Sequence, residues 1–395
     1  MSFRSKEEIR VVACLFFILF MGVADNQILS PLLPAIRNQF GKSSTDMGFL
    51  FTGYSFCAGL SVLLWGPLSD AFGRKRGLWC GLMIFFAGSI ISFVSKDFTT
   101  LLAGRMATGM GASMLSLNSI SYAADFFPYS TRGWAMGCIF ASYFAALILG
   151  VPLGSWFADR LGWTSVFAAM GIISLCLSLL TPWVLPKLPD NSIQTSHNRL
   201  AGSIRQYLGF LKSQNTLGAL LSSLFASAGM MGFLAFIGVW LHDSYGIPGS
   251  KTGLVFLIAG AAALLASPFA GSLADRIGKQ LQFVFSCASL ALFLFILPGL
   301  RWGSVLFVVL GVISLSAAFR QGPMEAILTE IVPTLSRGSF VALKNSFSQL
   351  GIGLATMCSG FLFEYGGYSA VCFLGALSNL LAAGSMLLAV KGKRL

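Results

Sequence analysis

Charge is what this 395-residue chain has least of. Charged residues make up 10% of it, against about 25% in ordinary soluble proteins, and hydrophobic residues make up 56% against about 45–50%. That balance excludes an ordinary soluble domain. Histidine is nearly missing: His197 and His242 lie in different connecting segments, so no histidine-built metal site is expected. The eight cysteines contain no C-x-x-C pair, and each falls within an apolar run. They exclude a zinc ribbon or a disulfide framework. No G-x-x-x-x-G-K-S/T loop is present, so nucleotide hydrolysis by that device is excluded. With no metal or nucleophile constellation, the chain is not expected to be an enzyme, and no cofactor is expected.

What is there is a series of long apolar runs. They cover about 11–33, 47–69, 77–95, 99–122, 133–157 and 163–185, then about 215–240, 252–270, 281–299, 304–328, 339–362 and 369–390. Runs of about 20 residues are what a helix needs to cross roughly 30 Å of hydrocarbon. The first, with Gly22-Val-Ala24, has the look of a signal-peptide cleavage site. It continues past Asp25 to Pro34, however, and reads as a first span. Lys and Arg concentrate at both ends and in the even-numbered connections, at Arg74, Lys75, Arg76, Arg132, Arg276, Lys279 and Arg337 among others. The opposite connections hold only Arg37, Lys42, Lys96, Arg160, Lys251 and Arg301. By the positive-inside rule both termini are cytoplasmic. The net charge of +12 therefore reports topology; the partner is a lipid bilayer, and no nucleic acid is expected.

The runs are also duplicated. Gly66-Pro-Leu-Ser-Asp70-Ala-Phe-Gly73-Arg74-Lys75 returns about 205 positions later as Gly271-Ser-Leu-Ala-Asp275-Arg276-Ile-Gly278-Lys279. The same offset carries Asp125-x-x-Pro128-x-x-x-Arg132-Gly133 onto Glu330-x-x-Pro333-x-x-x-Arg337-Gly338. It also carries Asp159-Arg-Leu-Gly162-Trp163 onto Glu364-Tyr-Gly-Gly367-Tyr368. Repetition at one offset marks a repeated structural unit. The expected fold is an all-α membrane protein of twelve spans in two parallel six-helix repeats. Residues 1–186 form the first bundle, 187–214 a cytoplasmic linker and 215–395 the second bundle. Leu200, Ile204, Leu208 and Leu211 in the linker suit a short helix lying on the membrane surface. Parallel repeats leave a central cleft that rocking opens to one side at a time.

The motifs resemble a known family. Gly66-x-x-x-Asp70-x-x-Gly73-Arg74-Lys75 resembles the signature loop between helices 2 and 3 of the major facilitator superfamily. Arg105-x-x-x-Gly109 is similar to its helix-4 motif, and Gly150-Val-Pro152-Leu-Gly154 to the helix-5 motif of its antiporter branch of proton-coupled drug and sugar efflux proteins. The resemblance implies a monomeric secondary transporter of the bacterial inner membrane, with helices 1, 4, 7 and 10 lining the cavity. It also implies gating clusters at Gly66, Asp70, Gly73, Arg74, Asp125 and Arg132, and again at Asp275, Arg276, Glu330 and Arg337. These would latch the outward-open state and break on inward opening. Asp125 sits at a helix C-terminus, where an acid calls for a nearby cation. Arg74 or Arg132 is expected to supply it, and Arg276 or Arg337 to serve Glu330.

Charges inside the spans are costly and therefore informative. Four stand out: Asp25, Arg105, Arg320 and Glu325. An arginine favours a carboxylate's charged form and burial opposes it, so an acid balanced between the two can exchange a proton. Asp25, expected to pair with Arg105, is the leading coupling acid, with Glu325 the second. Arg320 is expected near the midplane, neutralised by Asp25 or Glu325 or free for an anionic solute. Asn118, Gln321, Tyr54 and Tyr122 are expected to line the cavity beside the arginines. The function expected is proton-coupled efflux of a small organic solute. The alternatives are uptake or exchange of an organic anion held by Arg105 and Arg320, and a non-transporting sensor or scaffold.

Overall fold

Local signals set the helix ends. In the computed structural model, which describes residues 5–188, 205–333 and 336–389, α1 (Lys6–Phe40) opens with a capping box between Ser5 and Glu8 and stops at Gly41. A second capping box, Ser43 with Asp46, starts α2 (Ser44–Phe72). Such reciprocal caps satisfy donors that the first helical turn leaves open. The turn into α3 (Arg74–Phe93) is made by Gly73 at φ 89°. Its repeat, Gly278 at φ 92°, makes the turn between α8 (Gly249–Ile277) and α9 (Lys279–Ile296). Both φ values suit glycine alone.

Asp97 caps α4 (Phe98–Phe126). Next, α5 runs as Tyr129–Ala145, passes through a π-turn at Ala146–Gly150 and continues as Val151–Leu161. Pro152 explains the π-turn, since it has no N–H to bond back to Ile148. The first half closes with α6 (Thr164–Val184), and the second adds α7 (Gln214–Tyr245) and α10 (Ser304–Ile331). Arg337–Ala389 is helical throughout except at Gly367, whose φ 66° and ψ −171° divide it into α11 (337–366) and α12 (368–389).

Ten described segments are long and apolar enough to cross a bilayer. Two differences bring that number to twelve. The last segment holds both α11 and α12, and α4 falls short because Arg105, Thr108, Ser113, Asn118 and Ser119 interrupt it. The fold is thus the expected all-α, membrane-spanning architecture of twelve helices in two pseudo-symmetric halves. Most of the expected linker lies outside the described residues, including Leu200 and Ile204; residues 205–212 are helical.

Packing between the halves is unequal along their length. For reference, the basic-rich end, where α1 begins, is termed the inner end and the opposite one the outer end. One apolar core near the outer end spans both halves, joining Ile28, Leu29 and Leu32 to Phe233, Phe236 and Val255. Two others, toward the inner end, are each confined to one half, with Leu63 of α2 leaning on the second half's core. Polar bonds follow the same division. At the outer end Arg37 grips Asp243 through two bonds of 2.8 and 2.7 Å. Thr45 donates to Glu364 at 2.6 Å, the Ser250 N–H to Asp159 at 2.9 Å and Ser30 to the Leu234 carbonyl at 2.6 Å. Helices α1 and α7 approach so closely there that a Cβ on Gly238 would lie 2.2 Å from the Ser30 carbonyl oxygen. The halves are sealed at the outer end and separate cores diverge toward the inner end, so the cleft opens inward.

Candidate functional site

The first wall of the cleft is built around one buried ion pair. Arg105 of α4 donates from Nη1 to Oδ2 of Asp25 of α1 at 2.7 Å, and both side chains are fully buried. The guanidinium stacks on Tyr54 of α2, 4.8 Å from the ring centre, and lies 5.8 Å from the Phe167 ring of α6. These aromatic faces offset part of the desolvation that the charge incurs. The expected pairing of Asp25 with Arg105 is present, and Tyr54 belongs to it. The pair is under-coordinated: among the described residues, Oδ1 of Asp25 and Nε and Nη2 of Arg105 have no hydrogen-bond partner. Few other bonds hold the carboxylate, so its charge depends on where Arg105 sits. Tyr143 of α5, on the same half, is 37% exposed.

A second ion pair stands on the opposite wall. Lys344 of α11 donates to Oε1 of Glu325 at 2.6 Å, and Gln321 donates to the same oxygen at 3.0 Å. The lysine is 9% exposed and the carboxylate 39%, so the cation sits behind and the acid faces the cleft. The sequence reading missed Lys344, although its place well inside a span was the available signal. It also missed Arg37 and Asp243, which read as topology charges. Their signal was positional: they stand at matching outer ends of the first helix of each repeat.

Several expected site residues lie elsewhere. Arg320 does not meet Asp25 or Glu325; it donates to Oδ1 of Asn379 of α12, beside Cys287 of α9, inside the second half. Asn118 donates to the Met114 carbonyl at 2.8 Å and packs against Gly77 of α3. Tyr122 donates to the Pro186 carbonyl at 2.8 Å. Both are engaged within their own half, Asn118 against α3 and Tyr122 at the end of α6.

Of the two inner clusters, one keeps an expected partner and the other changes it. Arg74, and not Arg132, meets Asp125, at 3.3 Å, and also donates to Ser69 at 2.5 Å. Arg132 donates instead to the Phe127 carbonyl at 3.3 Å. Lys279, and not Arg276 or Arg337, pairs with Glu330. Asp275, Arg276 and Arg337 are exposed. Gly66 faces Ala342 of α11, Gly73 makes its turn, and the Asp70 side chain lies outside the described residues. The two acid–base pairs each lie within one half and persist while the cleft is open inward.

Residues 15–323 match the family model described as the Major Facilitator Superfamily. The chain belongs to the major facilitator superfamily. Its relatives include the uncharacterized MFS-type transporter YbcL of Bacillus subtilis, 25% identical over 370 residues that cover 93% of each chain. A probable sugar efflux transporter of Helicobacter acinonychis is 25% identical over 360 residues, 89% of this chain and 88% of that one. Among solved structures, a D-xylose–proton symporter superposes with a TM-score of 0.79 at 20% identity, covering 98% of this chain and 99% of that chain. The expectation of proton-coupled efflux is corrected on that whole-chain likeness to a symporter; efflux is said of the Helicobacter relative and not of this chain. As a member of this superfamily the chain has a transport fold and no enzymatic active site.

Proposed function

We propose that the protein is a solute–proton symporter that takes up a small organic solute by alternating access. The observation that carries this reading is the buried Asp25–Arg105 pair on the wall of a cleft sealed outside and open inward. With the cleft turned outward, Asp25 would take a proton as solute enters and Arg105 turns away; with the cleft turned inward, Arg105 returns and the proton leaves. The pair as seen, with Arg105 on Asp25 and the outer end closed, fits the released end of that cycle. The likeness to a proton symporter supports the direction. Glu325, held by Lys344 and Gln321, is the second candidate proton site and faces the same cleft. The charge distribution supports a bacterial inner-membrane protein with both termini inside, and the chain supplies both bundles that the cleft needs, so one copy suffices.

The test is proton movement in proteoliposomes loaded with a pH-sensitive dye. Neutral sugars, amino acids and monocarboxylates are added outside in turn. One class is expected to acidify the lumen with wild-type protein, and Asp25→Asn is expected to keep solute counterflow while losing the acidification. Counterflow by the wild type without any proton movement would sink the reading.

A further inference from the structure

The charges buried in the spans do not balance. Arg105 has Asp25 and Lys344 has Glu325. Arg320 is as buried as either, at 4% exposure, yet among the described residues it has no carboxylate. It donates to a neutral amide, Asn379, whose Nδ2 is tied to the Gly375 carbonyl at 2.8 Å so that Oδ1 faces the guanidinium, and the Cys287 thiol lies beside it. Its Nε is buried without a partner. A cation left in the bilayer interior beside neutral groups alone is unfavourable. Two of the three buried cations avoid that cost with an acid, and the third has an amide in the acid's place.

We propose that Arg320 holds a small monovalent anion between α9, α10 and α12, seated on the guanidinium edge that Asn379 leaves open. The ligand chemistry is a single compact negative charge with hydrogen-bond acceptors, matched by a guanidinium that offers several donors in a planar fork. A free halide has that chemistry, and so does the carboxylate of a transported solute. In the second case the site names the solute class for the symport reading and rests on it; in the first it is a resident counter-ion.

The test is thermal unfolding of detergent-purified protein in Hepes–Tris, titrated separately with sodium chloride and with sodium acetate, lactate and benzoate. It needs no transport, so its failure is distinct from failure of the symport reading. Wild type is expected to show a saturable rise in midpoint, because a ligand that binds only the folded form stabilises it. Saturation by chloride identifies a resident ion, and saturation by carboxylates alone identifies a solute group. Arg320→Gln is expected to keep only the unsaturable salt response. Asn379→Asp guards against Arg320→Gln failing to fold, since it supplies a carboxylate in place of the amide. It is expected to raise the anion-free midpoint and abolish the saturable rise. An unsaturable response in wild type, or an Asn379→Asp protein that keeps the wild-type rise, overturns the proposal.

Discussion

Arg37 and Asp243 meet across the outer end of the cleft, two guanidinium nitrogens on two carboxylate oxygens, and so join the last turns of α1 and α7. The pair can exist only while that end is shut. It is partly exposed, so its worth is at most about 1 kcal/mol. Arg37→Gln is expected to raise the outward-open population by no more than about fivefold. Labelling of a cysteine introduced at Ser30 by a membrane-impermeant maleimide from outside reads that population. The swap Arg37→Asp with Asp243→Arg should return labelling to the original level; if it stays high, the pair is not the tie.

A larger outward shift is expected from Gly238→Ala. Alanine is the better helix former by about 1 kcal/mol, but its Cβ would stand 2.2 Å from the Ser30 carbonyl oxygen. The clash lies between backbones of different halves, so separation at the outer end relieves it. Gly109→Ala meets the Tyr54 carbonyl at 2.3 Å inside one half and has no such relief. It is expected to lower the unfolding midpoint without changing external labelling. Equal midpoint losses with no labelling change in either variant would remove the distinction.

Asp25→Asn leaves Arg105 buried beside a neutral amide. Breaking a buried pair from one side costs about 3–5 kcal/mol, and the aromatic faces of Tyr54 and Phe167 recover only part of it. The double change Asp25→Leu with Arg105→Leu is expected to recover most of the stability and none of the proton-driven uptake. Denaturation midpoints and dye acidification measure the two separately. Uptake surviving in the double variant would make the pair structural only.

On the other wall the two partners of the ion pair differ in exposure, and their substitutions should differ with it. Glu325→Gln leaves Lys344 as a deeply buried cation, whereas Lys344→Gln leaves a carboxylate that water in the cleft reaches. The first is expected to lower the unfolding midpoint clearly more than the second. Thermal melts of both variants decide it, and a reversed order would show that Glu325 does not face the cleft.

The twelve spans were legible because run length and the 205-residue repeat state them directly, and the repeat also located Gly73, Gly278 and Gly367 at turns. The Asp25–Arg105 pair was legible because charges inside a span need partners and these two lie at similar depth. The same logic did not show that Arg320 lacks an acid: depth gives a level in the membrane but no direction around the helix axis. Apolar residues cover every side of α10, so no polar face marks the cleft. Lys344 escaped because a single lysine barely lowers the hydropathy of a long run. The partners of Asp125 and Glu330 were set by which side chain crosses a tight turn, and spacing alone does not fix that.

The π-turn at Ala146–Gly150 carries a mechanical consequence. Its counterpart one repeat later, 351–355 in α11, is regular α-helix. A π-turn interrupts the i to i−4 ladder and lets a helix bend where a regular one is stiff. Beside it runs α8, whose Gly260 packs on Leu147 and Ile148. The outer seal therefore has one compliant flank, α5 on α8, and one rigid flank, α2 on α11. Duplication preserved the number and order of helices but not this turn, so the two flanks are expected to differ in stiffness.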